Sequence, residues 1–374
     1  MKGSIKILSV RGIRISVHWT FLLLLGWVVL LNVEQGTNAG RLLWSLLFVL
    51  AVFACVALHE LGHAMAAGYF GIRARDIVLL PIGGTASIEK FPDNPRQELS
   101  ISLAGPAMNI IIAFLLWLLQ DPGAPFWAQP ERAPAFGLGM FVFDLRMVNV
   151  GLAVFNLIPA FPMDGGRILR ALLGFRMNYV RATTIAAAIG KGIAWVFIAL
   201  GIVVINPILP LVGVFILFSA GTEEHYLRLR SLVKGIRLNE VVMNDYASLQ
   251  ADMEVREAAS ILMTNHSKYF MLMEGARPVG SINRLEVVKA LAEKRYGEKL
   301  HSLVKGEVSL LDGAATADTV LEQLGRDDEQ LYPVVEGGQF EGVVSLNHIV
   351  EYLLLHRAGE EDYGRVRSLA GLLH

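Results

Sequence analysis

The chain has 374 residues, 54% of them hydrophobic and only 18% charged, with a formal net charge of −1 and a mean hydropathy of +0.49. That balance excludes a wholly soluble globular enzyme and predicts a membrane protein. Charge is unevenly divided: residues 1–222 hold 16 Lys+Arg against 10 Asp+Glu, and residues 223–374 hold 17 against 24. The first part reads as a sparsely charged membrane block and the second as an acidic soluble domain, whose sign argues against nucleic acid or anionic lipid as its partner.

Six apolar stretches are long enough to cross or nearly cross a bilayer, at about 16–32, 41–69, 98–119, 138–160, 183–205 and 207–221. The N-terminal MKGSIKILSVRGIR has the basic character of a signal peptide, but no small-residue cleavage site follows, so the first stretch is expected as an uncleaved span. Lys2, Lys6, Arg11 and Arg14 put the N-terminus in the cytoplasm by the positive-inside rule. Alternation then makes the loops 70–97 and 161–182 cytoplasmic and returns the soluble block to the cytoplasm after six crossings. The last stretch begins at Asn206-Pro207, so the fifth and sixth spans are expected as a tight hairpin.

Within the second stretch, AVFACVALHELGHAMAAGYF (51–70), two histidines and a glutamate interrupt an apolar run. An ionisable residue at membrane depth costs about 2.5 kcal/mol or more, so His59, Glu60 and His63 must face protein, water or a metal. On a helix, positions i and i+4 share a face, so both imidazoles can reach one zinc ion, with Glu60 beside it as general base. Such a site needs a third protein ligand and keeps an open position for water. Asp164, in NLIPAFPMDGGRILR (156–170), arrives at the same side of the membrane with the fourth span. Pro159 and Pro162 break that helix and Gly165 and Gly166 relax the backbone, so the carboxylate can turn inward. The competing reading is an aspartate capping the next helix. Cys55, one turn before His59 and the only cysteine, reads as a small buried residue rather than a ligand or redox sensor.

HELGH in one span and NLIPAFPMDGG in a later one resemble the site-2 protease family of intramembrane zinc metalloproteases. LPIGGTASIEK (80–90) is similar to that family's Gly-containing membrane-associated strand, SLAGPAMN (102–109) to its GPxxN motif, and His18 in SVHWTF to a first-span histidine. The resemblance implies one zinc per chain held by His59, His63 and Asp164, with Glu60 as the base. It makes Asn109 and Asn156 candidates for the substrate carbonyl or oxyanion, against the alternative of helix–helix hydrogen bonding. His18 is otherwise an interfacial residue, and Asp144 and Arg146 in the fourth span have no assigned role. The implied reaction is hydrolysis of a peptide bond within or next to a transmembrane segment of a protein substrate. Gly83 and Gly84 would let the 80–88 strand pair with substrate that has locally unwound.

Residues 236–356 contain a repeat: KYFMLMEGARPVGSINRLEVVKAL (268–291) lines up with QLYPVVEGGQFEGVVSLNHIVEYL (330–353). Each half reads strand, Gly turn, strand, helix, and an amphipathic helix precedes it, near 254–264 and 316–325. The repeat resembles a pair of CBS domains, which often bind an adenine nucleotide in their cleft and often pair between chains. The phosphate- and ribose-binding positions of that family fall on Asn283 and Glu286 in the first half and on Ser345 and His348 in the second, which departs from the usual pattern. The expected fold is thus a polytopic α-helical membrane protein of six transmembrane segments with a cytoplasmic α+β CBS pair. The expected divisions are a protease domain (1–222), a linker (223–235), the module (236–294 and 297–356) and a tail (357–374). Two rivals stand beside it: a CBS-regulated channel or transporter, against which no repeated halves occur in 1–222, and an inactive binder of membrane proteins, against which Glu60 is intact.

Overall fold

The computed structural model of the chain describes residues 4–72, 74–81, 83–88, 94–120, 123, 125–129, 137–304, 309–324 and 330–356. The tail expected at 357–374 lies outside the described residues. Two compact units divide the chain, Met1–Glu224 and His225–His374.

The first unit opens with strands β1 (Ser4–Val10) and β2 (Ile13–His18), followed by helices α1 (Phe21–Glu34) and α2 (Ala39–Tyr69). Strands β3 (Ala74–Leu80) and β4 (Gly83–Ile88) come next, then α3 (Pro95–Gln120), α4 (Leu138–Asn156), α5 (Asp164–Gly174), α6 (Tyr179–Val203) and α7 (Ile208–Leu232). Five of these helices, α2, α3, α4, α6 and α7, are long and apolar enough to cross a membrane. Their exposed side chains are largely Leu, Ile, Val and Phe, as lipid contact requires.

The helix of the expected first span, 16–32, begins later than the hydropathy suggests and is short. Ile13, Ile15 and Val17 alternate with Arg14, Ser16 and His18, a period of two that suits a strand and not a helix. Arg11 and Gly12, with φ of 49° and 85°, form the left-handed two-residue turn that twists a hairpin correctly. Helix therefore begins only at Phe21, and the 14 residues of α1 span about 21 Å at 1.5 Å per residue, short of the roughly 30 Å hydrocarbon core. The loop expected at 161–182 also contains a helix, the 11-residue α5.

The strands form one sheet in the order β1-β2-β3-β4, with β2 and β3 parallel and the outer pairs antiparallel. Ile13, Ile15, Ile77 and Leu79 on its inner face pack against Ala64, Phe53, Val56 and Leu61 of α2. This contact lays edge strand β4 along the helix that carries the HELGH motif. The tight hairpin of the last two spans is present: α6 and α7 are four residues apart, and a Cβ on Gly201 would overlap Pro210.

The second unit holds β5 (Ser248–Gln250), α8 (Val255–Thr264), β6 (Tyr269–Glu274), β7 (Arg277–Asn283), α9 (Arg284–Ala292) and α10 (Leu300–Leu303). The pattern returns as β8 (Leu311–Asp312), α11 (Ala317–Leu324), β9 (Tyr332–Glu336), β10 (Gln339–Val344) and α12 (Leu346–His356). Each half has a three-stranded sheet with its long hairpin antiparallel and its short first strand parallel. This is the repeated unit expected for a CBS pair. Each half buries its own core, and Met271, Met273 and Val343 join the two.

Candidate metal centre

Helices α2 and α3 meet through small residues. A Cβ on Gly62 would lie 2.8 Å from the Ala104 carbonyl oxygen, and one on Gly105 would overlap both histidine rings. Glycine at 105 is thus what lets His59 and His63 occupy the space between the helices. Asp164 reaches them from the other side. After α4 ends at Asn156, the segment 157–163, with a cis Phe161–Pro162 bond, folds back against the start of α5. Side chains at 165 or 166 would overlap the backbone of Leu157, Ile158, Ala160 or Phe161. Close backbone approach is therefore what the two glycines supply. Met163 takes the N-cap position with no side-chain bond, and Asp164 faces the histidines instead of capping the helix.

The Nε2 atoms of His59 and His63 are 3.1 Å apart, and Asp164 Oδ2 lies 3.1 Å from His63 Nε2 and 3.3 Å from His59 Nε2. These separations approach the edge of about 3.3 Å of a tetrahedron with bonds near 2.0 Å. All three residues are buried. His63 Nδ1 donates to the Ile101 carbonyl at 2.7 Å, and His59 Nδ1 to Asn109 Oδ1 at 2.6 Å. Pro106, next to Gly105 within α3, lacks the N–H that a regular helix would donate to the Ser102 carbonyl. With each proton committed at Nδ1, both Nε2 lone pairs and a carboxylate oxygen face one point. A divalent cation there would be met by all three, so the donor set fits a metal of the zinc type.

The remaining expected residues separate into groups. Glu60, half-buried, stands beside the trio with its Cγ in the space that a Cβ on Gly84 would need. Gly83 and Gly84 open edge strand β4, paired with Leu80 and Leu79 of β3. Asn156 ends α4 half-buried, with no side-chain hydrogen bond among the described residues. Asn109, expected either at the substrate carbonyl or in helix–helix hydrogen bonding, makes hydrogen bonds to two other helices. It is fully buried, accepts from His59, and donates to Asn149 Oδ1 at 3.2 Å, which orients an imidazole. His18 bonds Thr20 at the β2–α1 corner. Cys55 is buried beside the Asn149 side chain. Asp144 is exposed, whereas Arg146 is buried beside Phe126 and Phe143 and donates to the Ala128 carbonyl at 3.1 Å. Sequence reasoning missed Asn149, Gly105 and a buried Glu98–Arg170–Glu223 cluster; an asparagine inside an apolar span was the available signal for the first.

In the second unit, a cleft of about 440 Å³ is lined by Asp245, Tyr246, Lys268, Tyr269, Ser345 and Asn347, among others. Ser345 is there. Asn283 and Glu286 are not among its lining residues: Asn283 caps α9 by accepting from the Leu285 N–H at 2.8 Å, and Glu286 is exposed in the first turn of that helix.

An HExxH helix inside an apolar bundle, completed by a carboxylate from a later helix, defines a membrane-embedded metallopeptidase. The sequence profile of peptidase family M50 matches residues 47–124 and 120–198. A zinc metalloprotease of Methanocaldococcus jannaschii is 31% identical over 361 residues, covering 96% of this chain and 99% of that protein. The solved site-2 protease from the same organism is 36% identical, with a TM-score of 0.43, over 59% of this chain and 95% of its own. A CBS-domain-containing protein from Agrobacterium tumefaciens is similar over 31% of this chain and 98% of its own, at 19% identity and a TM-score of 0.27. The chain belongs to peptidase family M50, that of the site-2 proteases. It is an integral membrane zinc metalloprotease that acts on membrane proteins.

Proposed function

We propose that His59, His63 and Asp164 hold the zinc ion, that Glu60 is the general base, and that the scissile bond is presented along β4. The observation that carries this reading is the convergence of two Nε2 lone pairs and one carboxylate oxygen within 3.3 Å, with both Nδ1 protons committed to oxygen acceptors. When bound, zinc supplies a Lewis acid that acidifies a water and polarises a carbonyl. The protein's own part is orientation and proton transfer. Asn109 and the Ile101 carbonyl hold the imidazoles in the tautomer that points Nε2 at the metal. Glu60 takes the proton from the attacking water at its carboxylate and passes it to the leaving nitrogen. The outer edge of β4 offers main-chain groups to an unwound substrate, Gly84 brings that strand against Glu60, and Asn156 is available to the substrate carbonyl.

The reading extends to topology and control. Six crossings place both termini in the cytoplasm of a cell with this protein in its cytoplasmic membrane. In support, Leu22, Leu23, Trp27 and Leu30 of α1 are all exposed, as lipid contact requires, and a short helix is accommodated by local bilayer thinning. Residues 236–356 regulate the protease and take an adenine nucleotide in the cleft of the second unit, where Lys268 and Ser345 offer phosphate contacts, Asp245 a ribose acceptor and Tyr246 an aromatic face. CBS modules of two chains pair into a homo-oligomer.

The test is Glu60→Gln compared with the native protein in membranes, with new chain ends identified by terminal-peptide mass spectrometry. The variant keeps its zinc and lacks ends inside apolar segments that native membranes contain. Indistinguishable sets of ends, with a fused transmembrane substrate left intact by both, would remove the assignment of Glu60 as base.

A further inference from the structure

Arg170, six residues beyond Asp164 on α5, is only 2% exposed. Its Nε donates to Glu98 Oε1 at 2.7 Å and its Nη1 to Glu223 Oε1 at 2.6 Å. Its guanidinium carbon also lies 5.1 Å from the Phe161 ring centroid and 4.8 Å from that of Tyr179. One side chain therefore ties α5 to α3 through Glu98, to α6 through Tyr179 and to α7 through Glu223. Through Phe161 it also grips the 157–163 segment. Asp164 sits at the junction of that segment with α5, so its position is set by the two pieces of backbone that Arg170 holds together. A guanidinium fork suits this task because its donors are fixed in direction, whereas an ammonium is a point charge.

The two carboxylates are not equivalent. Glu98 is fully buried, and its Oε2 has no hydrogen-bond partner among the described residues. Glu223 is 32% exposed at its side chain and is the penultimate residue of the first unit, on the helix that runs on into the second. Its neighbour Glu224 pairs with Lys191 of α6 at 2.8 Å. Glu98 is thus the fixed partner of Arg170 and Glu223 the releasable one.

We propose that Arg170 is a positioning residue for Asp164, and that Glu223 is the arm through which α7 sets it. With Glu223 engaged, α5 is anchored on both sides and the Asp164 carboxylate is held against the imidazoles. With Glu223 withdrawn, Arg170 keeps Glu98 and its ring contacts to Phe161 and Tyr179 but loses its tie to α7, and α5 tilts enough to take Asp164 out of register. A rotation of α7 acts on the metal centre by this route. The proposal rests on Asp164 being the third metal ligand.

The experiment uses the full chain in nanodiscs, with zinc affinity read by chelator competition and geometry by the absorption of the cobalt(II)-substituted protein. Glu223→Gln weakens zinc about tenfold and shifts the cobalt bands while the melting temperature holds; Glu223→Asp recovers most of the loss. Arg170→Lys, which keeps charge but not the fork, weakens zinc about ten- to a hundredfold, the range typical of groups supporting a metal ligand. Native zinc affinity and native cobalt bands in Glu223→Gln and Arg170→Lys, while Asp164→Asn loses zinc, would overturn the proposal and leave the ligand assignment standing. A lowered melting temperature with unchanged bands would equally overturn it, as a purely structural role. Native zinc binding by Asp164→Asn would remove the ligand assignment and the proposal together.

Discussion

Replacing Gly84 by valine should displace Glu60, the proposed base, and leave the proposed metal ligands in place. A Cβ at 84 would lie 2.6 Å from Glu60 Cγ and 3.2 Å from its Cδ and Oε1. Carbon atoms in contact sit at about 3.5–4.0 Å, so Glu60 or β4 must give way by about 1 Å. Misplacement on that scale costs about a hundredfold in rate, equivalent to about 2.7 kcal/mol in transition-state energy. The three atoms nearest that Cβ all belong to Glu60 and none to His59, His63 or Asp164, so zinc content should stay at one per chain. The assay is cleavage of a fluorogenic transmembrane substrate in nanodiscs, with zinc measured by elemental analysis. A fall in kcat at constant KM marks displacement of the base, and a rise in KM marks loss of strand docking. Native activity in Gly84→Val, or zinc lost in parallel with activity, would refute the placement of β4 over Glu60.

Gly105→Ala makes the opposite separation, because its added methyl would overlap His63 Nε2 and both Cε1 atoms. Zinc affinity should fall at least a hundredfold by chelator competition, and excess zinc should restore part of the activity. Acidification should destabilise the second unit through His348. Burial lowers the His348 pKa against the opposing charge of Glu351, so the unfolded chain takes up a proton near pH 6.5 that the folded one refuses. Stability from this source is intact above about pH 6.5 and is lost as the pH falls toward the lower folded value. A thermal scan of the full chain between pH 7.5 and 5, set by that window, should show the second unit's transition moving down in the native protein and less so in His348→Gln.

Local chemistry made much of this protein legible in one dimension. Hydropathy is a property of consecutive residues, so the five long helices could be found from it. Two histidines at i and i+4 share a helix face wherever that helix is placed, which is why HELGH could be read as a metal motif. The repeat of 268–291 at 330–353 could likewise be read because each copy has its own strand–turn–strand–helix pattern. The N-terminal hairpin was also legible, in the period-two alternation of 13–18, but the apolar run behind it dominated that reading.

What required the tertiary structure were the meetings between elements distant in sequence. Asn109 is 50 residues from the imidazole it orients, and Arg170 is 72 and 53 residues from the carboxylates it bridges. Gly105 and Gly84 look alike in the sequence, yet one makes room for the rings of His59 and His63 and the other for Glu60. No periodicity encodes such pairings, because a side chain's hydrogen-bond partner or the volume beside a glycine depends on which helices cross and at what register. The residue types that can bind zinc are a matter of composition and spacing. The orientation of those residues, and the bridge that Arg170 makes between Glu98 of α3 and Glu223 of α7, exist only once the helices are packed.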